Sequence, residues 1–183
     1  MEKRVLIVDD NIALHELGRE HAREIFDTIN TQRAYLGQWL PFVELTTNID
    51  FTLSFVEAYA MSDRKNLTFA IYYRDQFAGL IGLKDTDYAN LKTEIGYWLS
   101  EPFQQKGIIT LSCNKLLEYA FQELNMNRVQ LKAATGNAKS CSVALRLGFT
   151  LEGVERDGEL HSRGFVDLNV YSLLVAEFGV RQG

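Results

Sequence analysis

Gln104-Gln105-Lys106-Gly107-Ile108-Ile109-Thr110 is the stretch of this chain best suited to hold an anion. It follows a strand-like run, Thr93 to Ser100, and feeds an apolar, helical-looking segment from Leu111 to Leu124. Backbone N–H groups at such a junction converge on a phosphate at a helix N-terminus, where the peptide dipoles also favour negative charge. Gly107 lets the main chain come close to it. Further along stands a second stretch, Asn137-Ala138-Lys139-Ser140, running on to Leu147-Gly148-Phe149. Lys106, Arg128, Lys132, Lys139 and Arg146 bracket the two, so a polyanion would be drawn there by charge, although the same residues also serve as a solvated rim. Ser140 stands where a helix begins, and its hydroxyl either bonds its own backbone or is offered to a ligand.

The elements that must position these residues are legible from spacing. Val5 to Val8 reads as a strand and Glu16 to Ile29 as a helix, with Leu17, Ala22, Ile25, Phe26 and Ile29 near helical periodicity. Asn48 or Asp50 caps a second helix that runs toward Ser62. Leu67 to Tyr73 and Phe77 to Lys84 are β-branched or aromatic runs, joined by Arg74-Asp75-Gln76 in a tight hairpin. Next come a strand over Thr93 to Leu99, the Leu111 to Leu124 helix, a strand over Val129 to Ala133 and a short helix from Ala138 to Leu147. Strands over Phe149 to Val154 and Phe165 to Leu174 close the chain. The order β-α-α-β-β-β-α-β-α-β-β places antiparallel strands first and α/β alternation later. It predicts an α/β (α+β) fold, with helices on the faces of a mixed sheet.

At 183 residues and 46% apolar content, the chain is expected to form one domain over residues 1–183, with a core that needs no staples. The four-residue apolar run at Val5-Leu6-Ile7-Val8 is too short for a signal-peptide core, and no stretch approaches membrane-spanning length. Cys113 and Cys141 form no C-x-x-C pair, which favours buried thiols in a reducing cytoplasm over a disulfide or a metal site. A net charge of −5 argues against a protein that coats nucleic acid. Arg4-Val5-Leu6-Ile7-Val8-Asp9-Asp10-Asn11 looks like the opening of a response-regulator receiver. Asp50, however, is followed by Phe51-Thr52-Leu53 and is not preceded by a clear buried strand, so a short strand ending in solvated acids is the simpler account.

Taken together, the Gln104–Thr110 and Asn137–Phe149 stretches and their order resemble the GNAT superfamily of N-acetyltransferases. Further segments are similar to its RimJ/RimL branch, which acetylates the N-termini of ribosomal proteins. These are Arg33-Ala34-Tyr35-Leu36 with Trp39-Leu40-Pro41, Ile95-Gly96-Tyr97-Trp98-Leu99, Leu151-Glu152-Gly153 and Asp167-Leu168-Asn169-Val170-Tyr171. The resemblance implies a largely antiparallel sheet whose two central parallel strands splay apart to admit the pantetheine arm of acetyl-CoA, used as cosubstrate without a metal. By the same carry-over Gln104, Gln105, Lys106, Gly107, Ile108 and Ile109 grip the pyrophosphate, although Ile109 stands where the family has a small residue. Asn137 and Lys139 flank the pantetheine, the strand amides at Trp98 and Leu99 meet the acetyl carbonyl, and Arg33, Tyr35 and Trp39 border the acceptor groove.

An amine that attacks a thioester must be neutral, and an α-amino group with a pKa of about 7.7–8.0 needs only a modest base. Glu159 matches, by its place after Leu151-Glu152-Gly153, the glutamate that serves as base in the RimL branch, with a polar stretch between the last two strands as its setting. His161 is the rival, because residues i and i+2 share a face if the strand persists there. Ser140, matching the family serine, would hand a proton to the leaving sulfur. The acceptor implied is a protein N-terminus, with a small amine (polyamine, amino acid or antibiotic) as the second choice and a non-catalytic acyl-CoA-binding regulator as the third. Expectations for the rest are a cytoplasmic protein without nucleic-acid or membrane partners, pairing as a homodimer through the Phe42-Val43 region or the last strand.

Overall fold

The computed structural model describes residues 3–61 and 66–179, which build an eight-stranded sheet in the order β1-β2-β3-β4-β5-β6-β8-β7. The strands are β1 (Val5–Ile7), β2 (Ile12–Glu16), β3 (Leu67–Tyr73), β4 (Gln76–Asp87), β5 (Lys92–Leu99), β6 (Arg128–Ala134), β7 (Thr150–His161) and β8 (Gly164–Leu174). The helices are α1 (Ala22–Thr31), α2 (Arg33–Leu36), α3 (Phe42–Leu45), α4 (Ile49–Met61), α5 (Ile108–Glu118), α6 (Ala138–Arg146) and α7 (Val175–Gly179). Every neighbouring pair of strands is antiparallel except β5 and β6, which run parallel. Among the described residues no helix is long and apolar enough to cross a membrane.

Strand periodicity sorts side chains into two apolar layers. Leu80 and Trp98 face α1 and α4, where they meet Ala22, Ile25, Ile29 and Val56. Ile81 and Ile95 face α5, where they meet Ile108, Cys113, Leu116 and Leu117. Phe69, Ala70 and Ile71 on β3 are all at 0% exposure, since a strand covered on both faces has no outward side. The β3–β4 hairpin turns at Arg74 and Asp75, whose φ values of 49° and 62° are those of a tight two-residue turn that matches strand twist. Asn48 caps α4 by accepting from the Phe51 amide at 3.1 Å, and the expected end of that helix at Ser62 lies outside the described residues.

Several expected boundaries move. Ile12 to Glu16 form a strand, with Ile12 and Leu14 buried, and the helix expected from Glu16 begins only at Ala22, after Gly18 and a 3₁₀ turn. Leu17 keeps the helical spacing yet reaches the same apolar layer from the chain before the helix. Asp9 Oδ1 accepts from the amides of Asn11 and Ile12 at 2.7 and 2.8 Å, so this acid organises the β1–β2 turn. Asp50 lies in the first turn of α4. α5 starts three residues earlier than its apolar pattern implied, so the helix follows Gly107 directly, and it ends in a π-helical turn over Tyr119–Glu123. The largest correction concerns β7. It runs to His161 instead of stopping at Val154, and Glu159 therefore lies within a strand and not between two.

Where β6, β7 and β8 meet, Arg128 forms a fork with Glu152. Nη2 lies 2.5 Å from Oε2 and Nη1 lies 2.6 Å from Oε1, while the Ser172 hydroxyl donates to Oε1 at 2.8 Å. The guanidinium first, and then the hydroxyl, hold the Glu152 carboxyl down at about 2. A carboxyl with a depressed folded pKa adds stability above its unfolded value of about 4.3 and loses it as pH falls through the folded value. Because the Glu152 side chain is 42% exposed, solvent limits the contribution to about 1 kcal/mol. Thermal melts of wild type and Glu152→Gln should therefore converge between pH ~4.5 and ~2. A constant gap across that window would show that the fork contributes nothing pH-dependent.

Candidate active site

β5 and β6 begin side by side and then part. Parallel pairing joins Lys92 to Arg128, Thr93 to Val129 and Glu94 to Gln130, and goes no further. Gln130 Nε2 donates to Glu94 Oε2 at 3.2 Å where the pairing ends. Beyond that point Ile95 to Leu99 on one side, and Lys132, Ala133 and Ala134 on the other, line a cavity of about 1920 Å³. Backbone polar groups on the facing edges have no ladder partner across the gap, so whatever enters must supply its own donors and acceptors. Ordinary small-ligand sites occupy about 300–1,000 Å³, so this cavity has room for a long ligand and a second reactant.

The Gln104–Thr110 turn forms one end of the cavity. Gln105 and Gly107 adopt φ values of 62° and 74°. A Cβ built on Gly107 meets nothing within 4 Å, so the space in front of the turn is open and any side chain at that position would enter it. Leu111 is the first residue of the helix to donate back, to Gly107 O at 3.0 Å, so the amides of Ile108, Ile109 and Thr110 precede the helical ladder. The Ile109 side chain is 9% exposed and packs into the core layer, which leaves its N–H on the turn. Cations ring the turn. Lys106 Nζ sits 5.2 Å from the centres of both the Tyr73 and Phe103 rings, Lys139 Nζ donates to Gln104 Oε1 at 2.7 Å, and Arg146 Nη1 donates to Thr110 Oγ1 at 2.9 Å. Of the other bracketing cations, Lys132 reaches the wall but pairs with Glu155 at 2.6 Å, and Arg128 is held by Glu152.

Asn137 and Ser140, at the start of α6, also line the cavity. Asn137 Oδ1 caps that helix by accepting from the Ser140 amide at 3.2 Å, so its ligand-facing chemistry is left to Nδ2. Ser140 stands beside Tyr97, whose Oη is sealed from solvent and, among the described residues, meets only the Ser140 hydroxyl, outside good hydrogen-bond geometry. Burial pushes that phenol well above its usual range, and the Ser140 hydroxyl only partly opposes the shift. The open turn leaves unpaired amides and nearby cations free to meet a polar, anionic ligand. Leu99 and Trp98 lie in the wall between these groups, with Trp98 set edge-on against Phe77 at 5.9 Å.

Aromatic and acidic side chains complete the lining. Trp39, from the segment after α2, lies against Gly136, where a Cβ would sit 3.7 Å from the indole, and Tyr35 lies 6.0 Å beneath Lys139 Nζ. Arg33 points elsewhere: it donates to the carbonyls of Val43, at 2.8 Å, and Thr46, tying α2 to the α3 region outside the cavity wall. Phe51, Phe55 and Tyr59 add a wall from α4, and Lys84 forms a 2.8 Å pair with Glu94. Burial works against the charge on Lys84, but the bond to Glu94, with help from Asp85 and Glu159, raises its pKa overall.

Glu159 is one of these acids. Its aim comes from an irregularity in β7: Glu155 pairs with Leu168 and Glu159 with Val166, so four steps of β7 oppose two of β8. Such bulges re-aim side chains. Asp157, at φ 51°, marks the loop of the bulge, and its amide donates to Asp167 Oδ1 at 2.8 Å. Asp167 thus serves as a backbone clamp. His161 Nε2 stands 2.7 Å from Glu159 Oε2, behind the carboxylate and outside the cavity wall.

Sequence reasoning named Tyr97 only for its strand, and did not find its hydroxyl, the Lys84–Glu94 pair or the α4 aromatics. The first two lie on regular strands that read as plain β pattern, and the third on a helix whose apolar residues spread around it. An unpaired aromatic hydroxyl between two glycine-rich or polar stretches is a signal only once the sheet register is known.

Comparison with known proteins follows the same lines. A GNAT acetyltransferase domain profile matches residues 11–150. YdaF of Bacillus subtilis, a candidate ribosomal N-acetyltransferase, is 38% identical over 176 residues, 93% of this chain and 95% of its own. The ribosomal-protein-serine acetyltransferase of Escherichia coli K12 is 28% identical over 170 residues, 92% and 95% of the two chains. Among solved structures, the microcin self-immunity acetyltransferase MccE, bound to acetyl-CoA and AMP, superposes with a TM-score of 0.86 at 33% identity, over 91% of this chain and 94% of that one. RimL with coenzyme A shares the fold at a TM-score of 0.91 and 24% identity, over 95% and 99%. With a matching domain profile over most of its length and a parted pair of parallel strands, this chain belongs to the GNAT family and is an N-acetyltransferase that uses acetyl-CoA.

Proposed function

We propose that this enzyme acetylates the N-terminal α-amino group of a protein, a ribosomal protein first among the candidates, by direct attack within a ternary complex. The observation that carries the reading is that one continuous cavity joins the Gln104–Gly107 turn to Glu159 through the gap between β5 and β6. The ribosomal acetyltransferases among its relatives, matched nearly end to end, support the same acceptor class.

Bound acetyl-CoA supplies an acetyl group activated as a thioester. In this reading the amides of Gln105 to Ile109, with Lys106, Lys139 and Arg146, hold its phosphates, and Asn137 Nδ2 orients its amide-bearing arm. A strand amide at Trp98 or Leu99 meets the acetyl oxygen as negative charge gathers there. Glu159 takes a proton from the incoming ammonium, directly or through one water, and Ser140 gives a proton to the departing sulfur. Tyr35 and Trp39 border the acceptor. Asp50 and Asp85 in the same wall favour a second reading, a polyamine acceptor, for which a spermidine acetyltransferase of E. coli at 24% identity is a relative. Thiol release with acetyl-CoA against ribosomal-protein N-terminal peptides, spermidine and water separates the two. Turnover on peptides is expected, and turnover on spermidine alone would replace the first reading with the second.

Two variants test the site itself. Gly107→Val forces a branched side chain into a left-handed backbone and into the open cradle, so titration calorimetry should show acetyl-CoA binding weakened about tenfold or more. Unchanged affinity would remove the cradle from the site. Glu159→Gln should lower kcat by roughly 10²- to 10⁴-fold and spare acetyl-CoA affinity. The deficit should shrink as pH rises past about 8, where an α-amine loses its own proton. A pH-independent deficit would remove Glu159 as the base.

A further inference from the structure

We infer that His161 is a positioning residue for Glu159: its Nε2–H fixes Oε2 of the carboxylate so that the other oxygen, Oε1, is presented to the acceptor ammonium. The inference rests on Glu159 being the base proposed above, and goes beyond it by giving a role to a side chain that does not line the cavity.

The geometry is asymmetric in the way such a role requires. The Glu159 side chain is 43% exposed and stands in the cavity wall, whereas the His161 side chain is 10% exposed and stands behind it, with 2.7 Å between Nε2 and Oε2. An ionised carboxylate only accepts hydrogen bonds, so the ring nitrogen that faces it carries the hydrogen and donates. A surface ion pair between two open side chains contributes little and orients nothing. Here one partner is packed, and the packed partner can hold the open one. β7 makes the pairing possible. Residues 159 and 161 share a face of the strand, and the residue opposite His161 across the hairpin is Gly164, so no cross-strand side chain competes for the space of the ring.

Glu159 needs such a support more than a residue in a regular strand would. It follows directly on the bulge at 155–159, where the ladder to β8 is interrupted, and its side chain has three rotatable bonds. The charges around it do not fix it in place: Lys84 is committed to Glu94 at 2.8 Å, and Lys132 to Glu155 at 2.6 Å. His161 supplies the one hydrogen bond the structure gives to the Glu159 carboxylate among the described residues. In the step itself the ammonium proton passes to Glu159 Oε1, the amine lone pair forms the new C–N bond as the C–S bond breaks, Ser140 gives its proton to the departing thiolate and regains one from the second proton that the nitrogen sheds, and the carboxyl later returns its proton to water. The imidazole keeps its hydrogen throughout.

The atom that donates makes the inference testable. Gln places its Nε2 near the position of the histidine Nε2, whereas Asn places its amide nearer Nδ1 and falls short. We expect His161→Leu and His161→Asn to lower kcat on the order of 10- to 100-fold while leaving acetyl-CoA affinity and the melting temperature in place, and His161→Gln to restore most of the loss. In the double variant Glu159→Gln/His161→Leu, the second change should cost nothing further, because a residue that acts only through Glu159 has nothing left to position. Full activity in His161→Leu, equal loss in the Gln and Asn variants, or additive losses in the double variant would each overturn the inference. If Glu159→Gln itself keeps wild-type kcat, the base assignment fails and the positioning role falls with it, an outcome distinct from a defect confined to the Gln and Asn comparison.

Discussion

Everything at this site depends on two parallel strands that stop pairing after Glu94 and Gln130. A sheet normally satisfies every interior N–H and C=O with its neighbours, and leaving a stretch of edge unpaired inside a fold is costly unless something else bonds to it. Here β5 keeps an unbroken ladder to β4 from Glu94 to Leu99 and β6 keeps its full ladder to β8, so each strand remains anchored on its outer side while the inner edges diverge. The result is a cleft whose walls are rigid and whose backbone groups are already aimed. An extended ligand with amides of its own can replace the missing ladder, which is why the gap suits the arm of a cofactor better than a compact molecule.

That cleft also separates charge. At one end, helix amides and the cations Lys106, Lys139 and Arg146 create a field for phosphate. Away from it, Glu94, Asp85 and Glu159 stand around Lys84, which is bonded to Glu94. The overall charge of −5 gives no hint of this, because net charge sums over a surface whose local signs differ.

The turn at Gly107 and the helix behind it were legible because a glycine, flanking polar residues and an apolar helical pattern all lie within a few positions of one another. Element order was legible for a similar reason, since apolar periodicity is local. What escaped depended on distant partners. Ile12 to Glu16 is too short to declare itself a strand until β3 lies beside it, and β7 reads as ending at Val154 because Arg156, Asp157 and Gly158 look like a loop. In the folded chain those residues form a bulge, with Asp167 from the next strand clamping the Asp157 amide. Arg33 was expected at the acceptor groove and instead ties backbone carbonyls together, since an arginine fork serves either task equally well.

The bulge gives Asp167 and Glu159 connected parts in one device. A strand in perfect register would turn Glu159 according to the pleat alone, and changing its aim would require shifting the whole strand. Two extra residues between Glu155 and Glu159 decouple the two halves of β7, so the segment up to Glu155 can follow the core while the tip of the hairpin follows the cavity. Freedom of that kind would also let the carboxylate wander. The Asp167 clamp on one side of the bulge and the His161 hydrogen bond on the other remove that freedom at the backbone and at the side chain respectively. Held at both levels, the Glu159 carboxylate keeps a fixed place in the wall of the cavity that opens between β5 and β6.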